Sequence, residues 1–172
     1  MNRADAWCLL TEFTQSESLR KHALAVEACM RGYARKFNGD EEQWALVGLL
    51  HDFDYEKYPS TEDHPFKGSE ILKERGYPED FRRAILSHAN YSGVARESAM
   101  EKALFACDEL AGFITATALV KPNKSLAEVD AKSVRKRRLA MPISLSVCAR
   151  AADGHRNRHP AEWRCAGLAP CE

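Results

Sequence analysis

Residues 48–57 read GLLHDFDYEK. The stretch starts as the apolar end of a helix and then sets His51, Asp52 and Asp54 in quick succession beside Tyr55 and Lys57. Gly48, Leu49 and Leu50 read as buried. An imidazole and a carboxylate placed directly after them leave water in part, which is costly unless they are paired or bound to a metal. Where the other histidines and aspartates fall relative to this doublet therefore decides what kind of fold surrounds it.

Upstream, Leu19, His22, Val26, Met30, Tyr33 and Phe37 recur at three- and four-residue steps. This spacing predicts a helix over 16–37 with His22 on its inner face and Asn38-Gly39 as its stop. Asp40 caps a second helix, EEQWALVGLLHD, whose first glutamates favour the positive end of the helix dipole. Downstream, FDYEKYPSTED has loop character, and His64-Pro65 opens a third helix that Gly76 ends. Pro78 starts a fourth, in which Phe81, Ile85 and Leu86 are apolar and His88 stands near the end. The longest runs from Ser98 to Val120, and Leu104, Asp108, Ala111 and Thr115 share one of its faces. No strand alternation and no repeat is visible, so the expected fold class is all-α, one helical bundle over residues 1–139.

Residues 140–172 differ. After the basic run Val134-Arg135-Lys136-Arg137-Arg138, arginine, cysteine, proline and alanine are scattered without helical period. Two readings stand for this tail: a disordered or loosely docked C-terminus, or an out-of-frame read of a GC-rich gene, which resequencing around codon 138 decides.

The chain has 172 residues, 45% apolar and 29% charged, which suits one soluble domain with a core of its own. Lysine plus arginine equals aspartate plus glutamate at 25 each, so no global field draws nucleic acid or an anionic membrane, and an anionic substrate needs a local site. The start, MNRADAWCLLTEF, lacks the apolar run of a signal peptide, and the greasiest segment, ALFACDELAGFITATALV, carries Asp108 and Glu109 in its middle. A cytoplasmic protein is expected. The six cysteines form no C-x-x-C pair, and no disulfide framework is expected.

His22, His51, Asp52, His64, His88 and Asp108 thus fall on inner faces or at helix ends. Singly, each reads as a satisfied core residue; jointly, imidazole and carboxylate without cysteine suit Fe, Mn, Ni, Co, Zn or Mg at a catalytic rather than a structural site. The ordered set H…HD…H…H…D resembles the HD-domain superfamily of metal-dependent phosphohydrolases. In that family a first helix brings one histidine, the next brings the His-Asp doublet and a later long helix brings an aspartate, which correspond here to His22, His51-Asp52 and Asp108. Members with two metals add two histidines in between, the first often followed by a glycine a turn later. His64-Pro65-Phe66-Lys67-Gly68 and Ser87-His88-Ala89 are similar to these.

The resemblance covers residues 16–120 and extends toward the basic run at 134–138. It implies a helical bundle with a central metal site of one or two divalent ions per chain, with Asp52 bridging two ions about 3.5–4 Å apart when both are held. It also implies cleavage of a phosphoester or phosphoanhydride of a small phosphorylated substrate, a nucleotide among the candidates, by metal-activated hydroxide. Asp52, Lys57 and Asp54 are the candidate catalytic residues. Lys57 would meet a phosphate as a point charge or else be a surface lysine, and HDFDYEK departs from the HD-x-x-K spacing of some relatives. Asp54 would orient a ligand or water, or cap the loop. Tyr55, Tyr58 and Tyr91 would stack on a base or pack their loops. Lys67, Arg82 and Arg83 read as solvated faces, and His155, His159 and Cys165 are set aside as a zinc site because no ordered helix carries them. Two other classes remain open: a di-iron oxygenase on the same six ligands, and a metal-bearing ligand-binding or regulatory module without turnover. No nucleic-acid or membrane partner is expected.

Overall fold

A computed structural model describes residues 2–140, with side chains through Arg137. The tail at 141–172, and both readings of it, lie outside the described residues. Among the described residues there are seven α-helices, two short 3-10 turns and no strand. They form two compact units, residues 2–109 and 110–140.

The first unit begins with α1 (Arg3–Phe13), a helix that the periodicity did not single out. Its start is nevertheless written in the sequence. The Asn2 side chain accepts from the Asp5 amide while the Asp5 carboxylate accepts from the Asn2 amide, a reciprocal cap that satisfies two of the donors a helix N-terminus leaves open. Leu9, Leu10 and Phe13 are buried, and Arg3 makes a two-pronged ion pair at 2.6 and 2.9 Å with Glu27, itself nearly buried, on the following helix.

Helix α2 (Glu17–Phe37) ends where Asn38 takes a left-handed conformation, and α3 (Glu41–Leu50) starts where Asp40 accepts from the amides of Glu42 and Gln43. The short link makes the two an αα-hairpin. Its close approach depends on Gly48. A Cβ there would lie 2.9 Å from Met30 Cγ and 3.0 Å from α2 backbone atoms of Val26 and Glu27. With hydrogen in its place the two backbones close, one turn from His22 on α2 and from His51 after α3. Val26 and Met30 on α2 and Val47, Leu49 and Leu50 on α3 are fully buried, each such side chain contributing about 1.5–3 kcal/mol.

Residues 51–57 continue as turns, and the chain re-enters helix at α4 (Phe66–Glu74) and α5 (Glu79–His88). Gly76, at φ +79°, ends the α4 segment. A 3-10 turn at Asn90–Ser92 leads to α6 (Ala99–Leu119), whose first half belongs to this unit. Phe53, Leu72, Phe81, Ile85 and Leu104 complete the core.

The second unit contains the end of α6, a 3-10 turn at Leu126–Glu128 capped by Ser125, and α7 (Ala131–Ala140), opened by Asp130 accepting from the Ser133 amide at 2.7 Å. Among the described residues no helix is long and apolar enough to cross a membrane. Cys29 and Cys107 are free thiols.

Candidate metal centre

Helix ends do most of the positioning. His51 caps α3 and His88 is the last residue of α5, where the final carbonyls lack helical partners. Each ring turns back on its own helix: His51 Nδ1 donates to the Gly48 carbonyl at 2.8 Å, and His88 Nδ1 donates to the Ile85 carbonyl. A carbonyl oxygen can only accept, so Nδ1 carries a proton and Nε2 is the nitrogen turned inward. His64 is held the same way by a carboxylate, its Nδ1 donating to Asp54 Oδ1 at 2.9 Å. His22 enters from α2 and Asp108 from α6, and their Nε2 and Oδ1 lie 3.0 Å apart.

The Asp52 carboxylate stands between two groups of donors. Its Oδ1 is 3.2 Å from His64 Nε2 and 3.1 Å from His88 Nε2, while its Oδ2 is 3.5 Å from His51 Nε2. His51 Nε2 in turn lies 3.3 Å from His22 Nε2 and 3.6 Å from Asp108 Oδ1. Donor atoms of His22, His51, Asp52 and Asp108 all fall within 4.8 Å of one another, and so do those of Asp52, His64 and His88. The six residues singled out in the sequence thus come together as two groups sharing one aspartate.

The electrostatics ask for positive charge here. Burial opposes ionisation of His51 more than any other influence favours it, yet Asp52 and Asp108 together push its pKa up to about 9. Burial likewise opposes charge on His64, and Asp52 and Asp54 push it up to about 9. Burial alone would raise Asp52 and Asp108, but His51, His64 and His88 around the first, and His22 and His51 around the second, hold both below the usual carboxylate range.

The donor set fits a divalent cation. His64 Nε2 and His88 Nε2 are 3.3 Å apart with both Nδ1 protons committed elsewhere, and each also faces an Asp52 oxygen. A proton on His64 satisfies this pocket in the metal-free protein, and a divalent cation that displaces it would take the same donor atoms. Imidazole and carboxylate, with the outer ring nitrogens fixed by carbonyls and a carboxylate, are the ligands and supports that catalytic transition-metal sites use.

Of the other expected site residues, Asp54 sits inside and Lys57 does not join the cluster. Asp54 is fully buried, and besides His64 it accepts from the Gly68 amide at 2.9 Å, a free donor in the first turn of α4. Its contacts are those of a positioning residue rather than of a group facing a substrate. Lys57 is exposed, with Nζ 3.9 Å from the centroid of the Phe13 ring. The reason lies in the turns after the doublet: they keep a near-helical pitch, Lys57 follows Phe53 by one turn, and Phe53 packs on Phe13 with centroids 5.2 Å apart. Tyr55 packs edge-on against His64 at 5.3 Å, and half-exposed Tyr91 is pushed up to about 12 by burial and by the carboxylates of Asp52 and Asp54. Lys67 lies over Tyr58 and Arg83 binds Glu101, as solvated-face residues do.

The periodicity did not reveal the supporting partners: the Gly48 and Ile85 carbonyls and Gly68. A histidine three residues past a carbonyl at a helix C-terminus is a usable signal for the first two. A separate cleft of about 410 Å³, lined by Gln43, Trp44, Asp80, Arg83 and Glu101 among others, holds polar groups that satisfy one another, Gln43 with Asp80 and Arg83 with Glu101.

A family model described as HD domain matches residues 19–168, a longer span than the 16–120 read from the motif at its C-terminal side. No curated protein and no solved structure matches the chain.

Proposed function

Because the chain belongs to the HD-domain family, whose members are generally metal-dependent hydrolases, we propose that it cleaves a phosphoester or phosphoanhydride of a small phosphorylated molecule at a two-ion centre. The observation that carries this reading is the division of Asp52, with Oδ1 facing His64 and His88 and Oδ2 facing His51. His22, His51 and Asp108 would hold one ion, His64 and His88 the other, and Asp52 both. A bound divalent ion lowers the pKa of water to about 7 and offsets charge on phosphoryl oxygens.

The chain's own residues supply orientation and access. Gly48 and Ile85 carbonyls and Asp54 lock the imidazoles, so the centre is held in place before substrate arrives. His51, His64 and His88 are closed off from solvent, whereas the side chains of His22, Asp52 and Asp108 keep 22–24% of their surface exposed. Substrate would reach the centre from that side, past Tyr91.

The test is elemental analysis of protein purified without added metal, together with phosphate release from a panel of phosphomonoesters and anhydrides under Mn, Co, Ni and Mg. About two ions per chain are expected, with one retained in His64→Ala and phosphate release abolished in Asp52→Ala. A fully loaded protein that releases phosphate from nothing in the panel, or consumes dioxygen with iron instead, overturns the proposal.

A further inference from the structure

Arg96 lies in the loop between the 3-10 turn at Asn90–Ser92 and α6, eight residues past His88. Its Nη2 donates to the His88 carbonyl at 3.3 Å and to Asn90 Oδ1 at 2.6 Å. The guanidinium carbon sits 3.7 Å from the centroid of the Phe105 ring, a stacked cation–π contact. Phe105 precedes Asp108 on α6 by one turn. Arg96 is thereby held between the backbone of one cluster histidine and the helical turn that carries the cluster aspartate at the other end.

Its hydrogen-bonding capacity is not used up. Arg96 Nε is buried without a partner, the single side-chain nitrogen or oxygen in that condition among the described residues. The charge reaches Glu109, next to Asp108, but among the described residues no carboxylate pairs with it. A charged donor held out of water and left unmade is unfavourable, and is kept where something else completes it. Two other cations considered for the site are committed elsewhere: Lys57 to the Phe13 ring, Arg83 to Glu101 and the Ala95 carbonyl.

We infer that Arg96 is the anion-recognition residue of this centre, meeting a phosphoryl oxygen of the substrate beside the Asp52 cluster. The fork of a guanidinium matches phosphate geometry, and stacking on Phe105 fixes its plane before the ligand arrives. A terminal phosphate, with two charges to distribute between ions and arginine, is favoured over a diester. The phosphate assignment rests on the hydrolase reading above, whereas the anion requirement rests on Arg96 itself.

The experiment is equilibrium binding of inorganic phosphate to the manganese-loaded protein, with metal content measured in parallel, for the parent, Arg96→Met and Arg96→Lys. Metal content is expected to stay at the parent's value. Phosphate affinity should fall about tenfold or more in Arg96→Met and recover in part in Arg96→Lys. For any ester turned over, KM should carry the change more than kcat. If Arg96 only ties its loop to His88, Arg96→Met will lose metal or stability while the fully loaded variant binds phosphate as the parent does, and the inference fails. It fails equally if the loaded parent binds no phosphate. Arg96-dependent phosphate binding by a parent that hydrolyses nothing removes the hydrolase reading and leaves this one; turnover with Arg96-independent binding does the reverse.

Discussion

Gly68→Ala is a one-carbon change outside the cluster that should disable half of it. A Cβ on Gly68 would lie 2.6 Å from Asp54 Cγ and 2.7 and 2.8 Å from its two oxygens, well inside van der Waals contact. Asp54 is fully buried and has no solvent to swing into, so the carboxylate must be pushed off both of its partners, the Gly68 amide and His64 Nδ1, each now at 2.9 Å. Overpacking of a tight site costs about 1–3 kcal/mol, and a buried amide left without its acceptor adds about 1–3 kcal/mol. The sum, roughly 2–6 kcal/mol, should appear as a lower urea midpoint in the chelated protein. In the folded fraction His64 loses the group that fixes its ring, which for such supporting partners weakens metal affinity about 10- to 100-fold. Metal titration with elemental analysis should then show one ion retained at the His22, His51 and Asp108 side and the second lost first. Asp54→Asn, which keeps the volume and removes the charge, gives the metal effect without the clash. Gly32→Ala is the control: nothing lies within 4 Å of a Cβ there, and alanine in mid-α2 should stabilise by about 0.5–1 kcal/mol. Two ions bound at the parent's affinity by Gly68→Ala, with the parent's midpoint, would refute the chain from Gly68 through Asp54 to His64.

Gly48→Ala should part α2 from α3, since its Cβ meets the α2 backbone at 3.0 Å; a loss of about 1–3 kcal/mol in urea unfolding is expected, and an unchanged midpoint would contradict the close approach. Stability of the chelated protein should depend on pH in both directions. His51 and His64, raised from 6.5 to about 9, contribute stability that is complete below pH 6.5 and fades as pH climbs through 9; Asp52 and Asp108, lowered from 3.8, contribute stability that is lost as pH falls below that value. Urea midpoints should therefore be highest between pH 3.8 and 6.5, and a midpoint that rises from pH 6.5 to 9 would count against the charge arrangement. Metal uptake near pH 7.5 should release protons into a weakly buffered solution, because the ion displaces those held by His51 and His64.

Much of the centre was legible without coordinates. Helical periodicity put His22 and Asp108 on inner faces, turn chemistry at Asn38-Gly39 and Asp40 bounded the helices around the doublet, and the order of six ligand types pointed to the family. These are local properties: which face a residue occupies follows from backbone geometry over one or two turns. The first helix had a local signal too, the reciprocal Asn2–Asp5 cap, but no apolar stripe strong enough to announce it. What only the tertiary structure decided is how the faces meet. Which oxygen of Asp52 sees which imidazole, that Asp54 serves His64 and Gly68, that Lys57 turns to Phe13, and that Arg96 keeps an unspent donor beside His88 all depend on distances between segments far apart in the chain. Such distances are set by packing at points like Gly48, where a missing side chain lets two helices close, and no periodicity within either helix reports them.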